Sequence, residues 1–363
     1  MSEPEKANSR RDFMTGQFGL RDDSKSPAED SREPTPNVCS PLERKLLQHF
    51  TRRAMACDFQ IFFELAGPQN HGEAAMKAFA EIEALENRLS VYRPESELSR
   101  LNREAAVADI EVSDEIAQLL STALTISAET NGAFDLTATP LSRVWGFHDR
   151  RPQVPTTLAL ERARSLVNWR RVTFDRTTKT VRFGDAEIEL NFNSIGKGFA
   201  VERAAAILTQ LGYDRFVIHG GQSSVLARDA GPDAEGWLIG LTHPLIPGER
   251  IGEIRLQNES LSTSGTARQG IFHGGRRLGH VIDPRTGWPA DHHLSVTVVH
   301  PDAAISDALA TAFFVMTTEE VEKYCATHSE TKALIFLPST QSNRPWEIKC
   351  IGFPESQLKI YET

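Results

Sequence analysis

Residues 306–311, Ser-Asp-Ala-Leu-Ala-Thr, place a carboxylate and a hydroxyl at helical spacing. Asp307 and Thr311 are four positions apart, so on a helix their side chains lie on one face. This pair suits a hard cation such as Mg²⁺, which keeps waters and substrate phosphates as further ligands, and a helix N-terminus also attracts phosphate. In the alternative interpretation, Asp307 only caps a helix and Thr311 bonds to its own backbone. The spacing leaves both open.

A glycine-rich turn at residues 193–198 follows an apparent strand over 188–192 and opens a helix. Its small residues allow the backbone to approach a ligand, and Lys197 is placed to contact an anionic group. An ordinary strand-to-helix turn with a solvent-exposed lysine has the same pattern. Lys197 is followed by Gly198, so the sequence does not match a nucleotide-binding P-loop.

Three later segments combine small residues with groups that can handle protons or phosphates. Gly220 and Gly221 follow a predicted strand, and their turn can direct N–H groups at a ligand. Ser264 and Gly265 close a second small-residue segment. His280 opens a predicted short strand over 280–282, before a tight turn marked by Asp-Pro and Thr-Gly. A histidine can transfer a proton near neutral pH, although a lone histidine is often structural.

Apolar periodicity predicts mainly helices at first, and the C-terminal half of the chain shifts toward short strands, with one further helix before the last of them. The predicted helices span residues 73–89, 113–130, 157–167, 197–211 and from Ser306 to about Met316. The predicted strands, besides 188–192 and 280–282, span residues 216–219, 237–241, 251–256, 294–299 and 333–337. This order indicates an α+β fold, and no GxGxxG supports a Rossmann domain.

Six sequence blocks, in order along most of residues 52–345, resemble the FAD:protein FMN transferase (ApbE) family. They are residues 89–102 with Tyr92 and Asn102, residues 131–147 with Asp135, the turn at 193–198, and residues 262–265, 280–287 and 306–311. The resemblance implies a two-lobed α+β fold with mostly antiparallel sheets flanked by helices, and a flavin site between the lobes. It also implies a reaction in which Mg²⁺ assists cleavage of FAD. The FMN moiety is joined to a serine or threonine hydroxyl of an acceptor protein, and AMP is released.

The resemblance also implies residue roles. The metal would be held by Asp307, Thr311 and the backbone carbonyl of Gly196. His280 and Asp307 would be catalytic, with His280 assisting deprotonation of the acceptor hydroxyl or contacting the phosphate. The FAD-binding residues would be Tyr92 against the isoalloxazine ring, Lys197 on the flavin or its phosphates, and Asn102, Asp135, Gly220, Gly221, Ser264 and Gly265 in the pocket.

Gln222 departs from the family pattern, because it stands where the family commonly has an aspartate. An amide at this position removes a negative charge and a potential base. Gln222 favours a non-catalytic role, and the same site could also use water as the nucleophile, so two alternatives stay open at this stage. One is a Mg²⁺-dependent FAD pyrophosphatase that releases FMN and AMP, and the other is a non-catalytic FAD-binding protein.

Composition excludes several other classes. A net charge of −9 over 363 residues argues against non-specific nucleic-acid binding, and no apolar run approaches the roughly 18 residues of a membrane span.

Residues 1–40 are predicted to be a disordered tail, 41–350 the flavin transferase domain and 351–363 a C-terminal tail. The four scattered cysteines favour a reducing compartment. Arg10 and Arg11 resemble a twin-arginine export signal, but a polar segment follows them, so we expect a cytoplasmic protein.

Overall fold

The structure is a computed structural model that describes residues 47–64, 70–229, 236–246, 248–265, 270–339 and 346–361. These residues belong to a unit that spans Pro36–Thr363. The predicted N-terminal tail, with its arginine pair, lies outside the described residues. Within the described ranges, no helix is long and apolar enough to cross a membrane.

The described helices and strands alternate irregularly along the chain. The helices are α1 (His71–Leu89), α2 (Glu97–Glu104), α3 (Asp114–Glu129), α4 (Thr139–Val144), α5 (Thr157–Ser165), α6 (Gly196–Gln210), α7 (Ala303–Val315) and α8 (Thr318–Thr327). The strands are β1 (Leu47–Ala54), β2 (Cys57–Glu64), β3 (Ile110–Glu111), β4 (Val172–Asp175), β5 (Thr180–Phe183), β6 (Arg215–Gly220), β7 (Ser224–Asp229), β8 (Trp237–Thr242), β9 (Arg250–Leu256), β10 (Ser260–Gly265), β11 (Gly270–His273), β12 (Arg276–Gly279), β13 (Ser295–His300), β14 (Lys332–Pro338), β15 (Trp346–Ile351) and β16 (Leu358–Ile360).

The largest sheet has eight strands in the order β1-β2-β6-β7-β10-β13-β14-β15, and neighbouring strands run antiparallel. Successive side chains of a strand point to opposite faces of the sheet. Both faces of this sheet carry apolar side chains, so each face packs against a core of its own. In β6, Phe216 and Ile218 join the core formed with α1, α6 and α7, whereas Val217 joins a second core with β8 and β9. The α+β prediction with mostly antiparallel sheets is therefore confirmed.

The N-terminus of α7 lies three residues before the predicted one. Asp302 is the N-cap, and its side chain accepts a hydrogen bond from the N–H of Ile305. The helix therefore begins at Ala303, and Asp307 lies more than one turn inside it. The prediction that the helix opens near Ser306 was wrong, because a carboxylate four residues upstream of Ser306 supplies the cap.

Residues 188–192 do not form the predicted strand. The side-chain amide of Asn102 pairs with both backbone groups of Leu190, and the N–H of Asn191 donates to the carbonyl of Leu136. The segment is extended, but its backbone is satisfied by a side chain and a loop rather than by a neighbouring strand.

Residues 280–282 also differ from the predicted strand. The hairpin β11–β12 ends at Gly279, and beyond it only an isolated bridge joins Ile282 to Pro289 in the described residues. The predicted tight turn after this segment is present, since the N–H of Gly287 donates to the carbonyl of Asp283 and Gly287 has a φ of +81°.

Residues 351–363, predicted as a C-terminal tail, include β16. This strand pairs with β9 from Leu358 opposite Ile254 to Ile360 opposite Gly252. Leu358 and Ile360 alternate with a lysine and pack against the second core, which accounts for the pairing.

Candidate functional site

Asp307 is the centre of the site, and its carboxylate accepts hydrogen bonds from three residues on two elements, α6 and β7. It is 6% exposed, although it carries a charge. Ser224 Oγ, at the start of β7, lies 3.1 Å from Oδ1, and the backbone N–H of Gly198 in α6 lies 3.0 Å from Oδ2. The Lys197 ammonium lies 3.2 Å from Oδ1 and 3.4 Å from Oδ2. These donors hold a buried carboxylate in one orientation.

The position of Gly198 depends on its lack of a side chain. A Cβ at this residue would lie 2.0 Å from the carbonyl oxygen of Ala303 and 2.7 Å from Cβ of Asp307. The first turn of α6 therefore packs directly against α7. Ile195, at the N-cap position of α6, provides no side-chain cap, so the N-terminal end of this helix is directed at the Asp307 carboxylate.

Thr311 lies one turn beyond Asp307 on α7 and is half-buried. Its hydroxyl is 3.4 Å from that of Ser264 on β10. Closer to the N-terminus of α7, the buried Ser306 hydroxyl is 3.0 Å from both Ser260 Oγ and Ser262 Oγ of the same strand. Alternate serines of β10 thus contact α7 and fix its register against the sheet.

The N-terminus of α7 is closed to phosphate. Asp302 caps the N–H of Ile305, and Oε2 of Glu202 accepts a hydrogen bond of 3.0 Å from the N–H of Ala303. Two carboxylates therefore occupy the N–H groups that an anion would use. They also exclude the simple capping role for Asp307.

Gly196 is the first residue of α6 and lies next to Lys197. Gly220 ends β6, and Gly221 follows with a φ of +64° and an N–H that donates to the carbonyl of Asp58. A Cβ on Gly220 would lie 2.9 Å from Val201 of α6, so this glycine permits close packing of the sheet and the helix. Gln222 is exposed on the turn that leads to β7.

His280 is half-buried and directly follows β12. The turn after it is fastened to α7 and α8 by Arg285. Its guanidinium binds the Asp283 carboxylate, Glu320 and the carbonyl of Val315 at the end of α7. The loop that carries His280 is thereby tied to the helix that carries Asp307.

Tyr92, Asn102 and Asp135 make their contacts with residues other than those that bond to Asp307. Tyr92 is 66% exposed and stacks on His148, with ring centroids 5.4 Å apart. Together with Asn102 it lines an open groove of about 460 Å³ beside residues 186–189. Asp135 accepts hydrogen bonds from Thr137 and from the N–H of Trp169, and burial raises the pKa of its carboxyl group. The roles of these three residues toward FAD stay predictions.

Ser224 and Gly198 were not assigned a role from the sequence, yet both bond to Asp307. Each lies in a turn that the sequence marks as rich in small residues. Their importance comes from contacts with residues about 80 and 110 positions away, which spacing along the chain does not reveal.

The predicted metal ligands, Asp307, Thr311 and the carbonyl of Gly196, have the chemistry of a hard-cation site. A carboxylate, a hydroxyl and a backbone carbonyl are the ligands that Mg²⁺ accepts, with substrate phosphates and water completing the shell. Within the described ranges, no group of three or more His, Cys, Asp or Glu side chains could hold a metal.

The chain is similar to proteins of known activity over most of its length. The ApbE family profile matches residues 55–335. The FAD:protein FMN transferase of Haemophilus influenzae is 33% identical over 252 residues, covering 66% of this chain and 72% of that protein. The Salmonella typhimurium FAD:protein FMN transferase is 30% identical over 257 residues, covering 69% and 73%.

The fold agrees with these sequence relationships. The crystal structure of the Pseudomonas stutzeri flavinyl transferase ApbE, in its apo form, aligns with a TM-score of 0.74 at 26% identity. The alignment covers 84% of this chain and 94% of that structure. The family resemblance predicted from the six sequence blocks is confirmed, and this chain belongs to the ApbE family.

Proposed function

We propose that this protein transfers FMN from FAD to a serine or threonine hydroxyl of an acceptor protein. In this reaction the hydroxyl oxygen attacks the phosphorus atom on the FMN side of the pyrophosphate. The bond from that phosphorus to the bridging oxygen breaks, and the hydroxyl proton is lost. AMP leaves with the bridging oxygen, and a phosphoester joins FMN to the acceptor.

The observation that carries the proposal is the buried Asp307 carboxylate, held in place by Ser224, Gly198 and Lys197, in a chain related to FAD:protein FMN transferases. Asp307 and Thr311, with the carbonyl of Gly196, would hold Mg²⁺. The cation would neutralise charge that develops on the phosphate oxygens during transfer. Ser224 and Gly198 keep the carboxylate oriented for this task.

Lys197 and His280 have separate parts in the proposal. The Lys197 ammonium lies beside the carboxylate and would contact the phosphate chain of FAD. His280, on the loop tied to α7, would accept the proton of the acceptor hydroxyl. The pocket assignments of Tyr92, Asn102, Asp135, Gly220, Gly221, Ser264 and Gly265 are part of the same proposal.

The test is incubation of the purified protein with FAD, Mg²⁺ and candidate acceptor proteins, followed by measurement of the acceptor's intact mass. A mass gain equal to one FMN moiety, abolished by EDTA, supports the transferase. Free FMN and AMP with every candidate acceptor unmodified would support a pyrophosphatase, in which water is the nucleophile. FAD that stays bound and intact would contradict both enzymes.

Asp307→Asn removes the negative charge with little change of shape. We expect Mg²⁺-dependent turnover to fall by about a hundredfold or more, because a metal ion supplies several kcal/mol of charge stabilisation in the transition state. Asp114→Asn is the matched control, because Asp114 is an exposed residue of α3 that pairs with Lys179. Full activity of a folded Asp307→Asn variant would contradict the metal assignment.

A further inference from the structure

The donors to Asp307 differ in how freely they can move. Ser224 Oγ belongs to a short side chain that is 1% exposed, and the N–H of Gly198 is part of the first turn of α6. Each donates to a different carboxylate oxygen, and each is fixed by its own strand or helix. The Gly198 bond persists unless α6 moves, and Ser224 has a single rotatable side-chain bond in a buried position.

Lys197 has a different geometry. Its ammonium lies 3.2 and 3.4 Å from the two oxygens and therefore spans the carboxylate. The Lys197 side chain is 26% exposed, compared with 8% for that of Asp307, and four rotatable bonds connect the ammonium to the backbone. Among the described residues that donate to Asp307, Lys197 has the longest and most exposed side chain, so it is the donor best able to turn away toward solvent.

The buried carboxylate of Asp307 needs a positive partner in both the metal-free and the metal-bound protein. A buried carboxylate without a positive partner is costly, and Lys197 supplies that partner in this structure. A divalent cation bound to the same two oxygens would compete for the lone pairs that the ammonium uses and would repel it. The two cations therefore exclude each other at Asp307.

We propose that Lys197 is a displaceable counter-cation. Its ammonium neutralises Asp307 in the metal-free protein and leaves the carboxylate when a divalent cation binds. This inference rests on the proposed function, because it takes Asp307 as a metal ligand. One consequence is that Lys197 weakens metal binding in the absence of FAD. A second is that Lys197 stabilises the fold only while no metal is bound.

The first experiment measures binding of Mn²⁺ alone to the full-length protein, without FAD, from the electron paramagnetic resonance signal of the free ion. We expect Lys197→Met to bind Mn²⁺ about tenfold more tightly than the wild type, the equivalent of about 1.4 kcal/mol. Lys179→Met is the matched control, since Lys179 pairs with the exposed Asp114. It should bind Mn²⁺ as the wild type does.

Asp307→Asn separates this inference from the function on which it rests. If Asp307→Asn loses Mn²⁺ binding but Lys197→Met binds no more tightly than the wild type, the displaceable counter-cation is contradicted and the metal site stands. If Asp307→Asn binds Mn²⁺ as the wild type does, the metal assignment fails and this inference fails with it.

Thermal unfolding tests the second consequence, and it remains informative if removal of Lys197 destabilises the protein. The Tm of Lys197→Met and of Lys197→Gln should lie below that of the wild type in EDTA, and the difference should close in saturating Mn²⁺. A Tm deficit of the same size in EDTA and in Mn²⁺ would show that Lys197 is an ordinary structural ion-pair partner, which contradicts the proposal.

Discussion

At the residue scale, the site depends on which side chains hold the reacting groups and which belong to the loops around them. His280 follows directly on a hairpin, and Arg285 ties the turn after it to the end of α7. The loop is anchored at Asp283, whose carboxylate binds the guanidinium of Arg285 through several hydrogen bonds. This anchoring suits a side chain that must meet an acceptor hydroxyl at a fixed position.

We expect His280→Ala to lower the rate of FMN transfer by about a hundredfold or more, the usual contribution of a positioned acid or base. Binding of FAD, followed by the change in flavin fluorescence, should weaken much less. His273→Ala is the control, because His273 is an exposed residue of the same hairpin. An equal loss of transfer rate and of FAD affinity would make His280 a binding residue.

The side-chain chemistry of the site could be predicted only in part. Spacing placed Asp307 and Thr311 on one helical face, but it did not distinguish a metal ligand from a cap. The structure removes the capping role because Asp302 and Glu202 already satisfy the helix N-terminus. Ser224 was missed because its contact with Asp307 joins two elements that are far apart in sequence.

At the element scale, the close approach of α6 and α7 sets the distance between Lys197 and Asp307. Gly198 makes that approach possible, since any side chain there would overlap the backbone of Ala303. Gly196 lies two residues earlier on the same helix and has open space, because its nearest neighbour would be Cβ of Phe192 at 4.0 Å. Gly198 is therefore the position at which tight packing can be tested, and Gly196 is its control on the same helix.

We expect Gly198→Ala to reduce the free energy of unfolding by about 3 kcal/mol and to abolish transfer, because α6 must move away from α7. Gly196→Ala should keep the stability within about 1 kcal/mol of the wild type and retain activity, because a carbonyl ligand does not depend on the side chain. Urea titration and the intact-mass assay measure both variants. Equal behaviour of the two would contradict the tight-packing explanation.

Alternation and amphipathic spacing predicted the buried elements well, including the strands over 216–219 and 333–337 and the helix over 73–89, each within two residues of its observed bounds. They were wrong for residues 188–192, where the side chain of Asn102 replaces a partner strand. A local pattern shows that a segment is extended. It does not show what bonds to its backbone.

At the scale of the whole molecule, the strand order of the large sheet could not be predicted from the sequence pattern. β2 pairs with β6, and roughly 150 residues and several helices separate them along the chain. The pairing buries one face against α1, α6 and α7 and the other against β8 and β9. The order of the predicted helices and strands indicated an α+β fold, but the order of the strands within the sheet is set by contacts between distant segments.

The second core contains a histidine that should make folding stability depend on pH. His219 lies in β6, edge-on to Phe62, and its Nε2 has no hydrogen-bond partner among the described residues. Burial lowers the pKa of His219 to about 4, from the ordinary value of 6.5. Between these two pH values the unfolded chain binds a proton that the folded protein excludes, so acid favours unfolding.

We therefore expect the free energy of unfolding to fall as the pH drops below about 6.5, with His219 responsible for about 2 kcal/mol by pH 5, at about 1.4 kcal/mol per pH unit. Burial also lowers the pKa of His293 to about 4, so the total loss in the wild type should be larger.

His219→Gln should remove the His219 share of the loss between pH 7 and pH 5, measured by urea unfolding at each pH. His49→Gln is the matched control for loss of a ring contact, because His49 stacks on the same Phe62 from an exposed position of β1. A pH dependence that His219→Gln leaves unchanged would mean that the buried imidazole is not the group that titrates on unfolding.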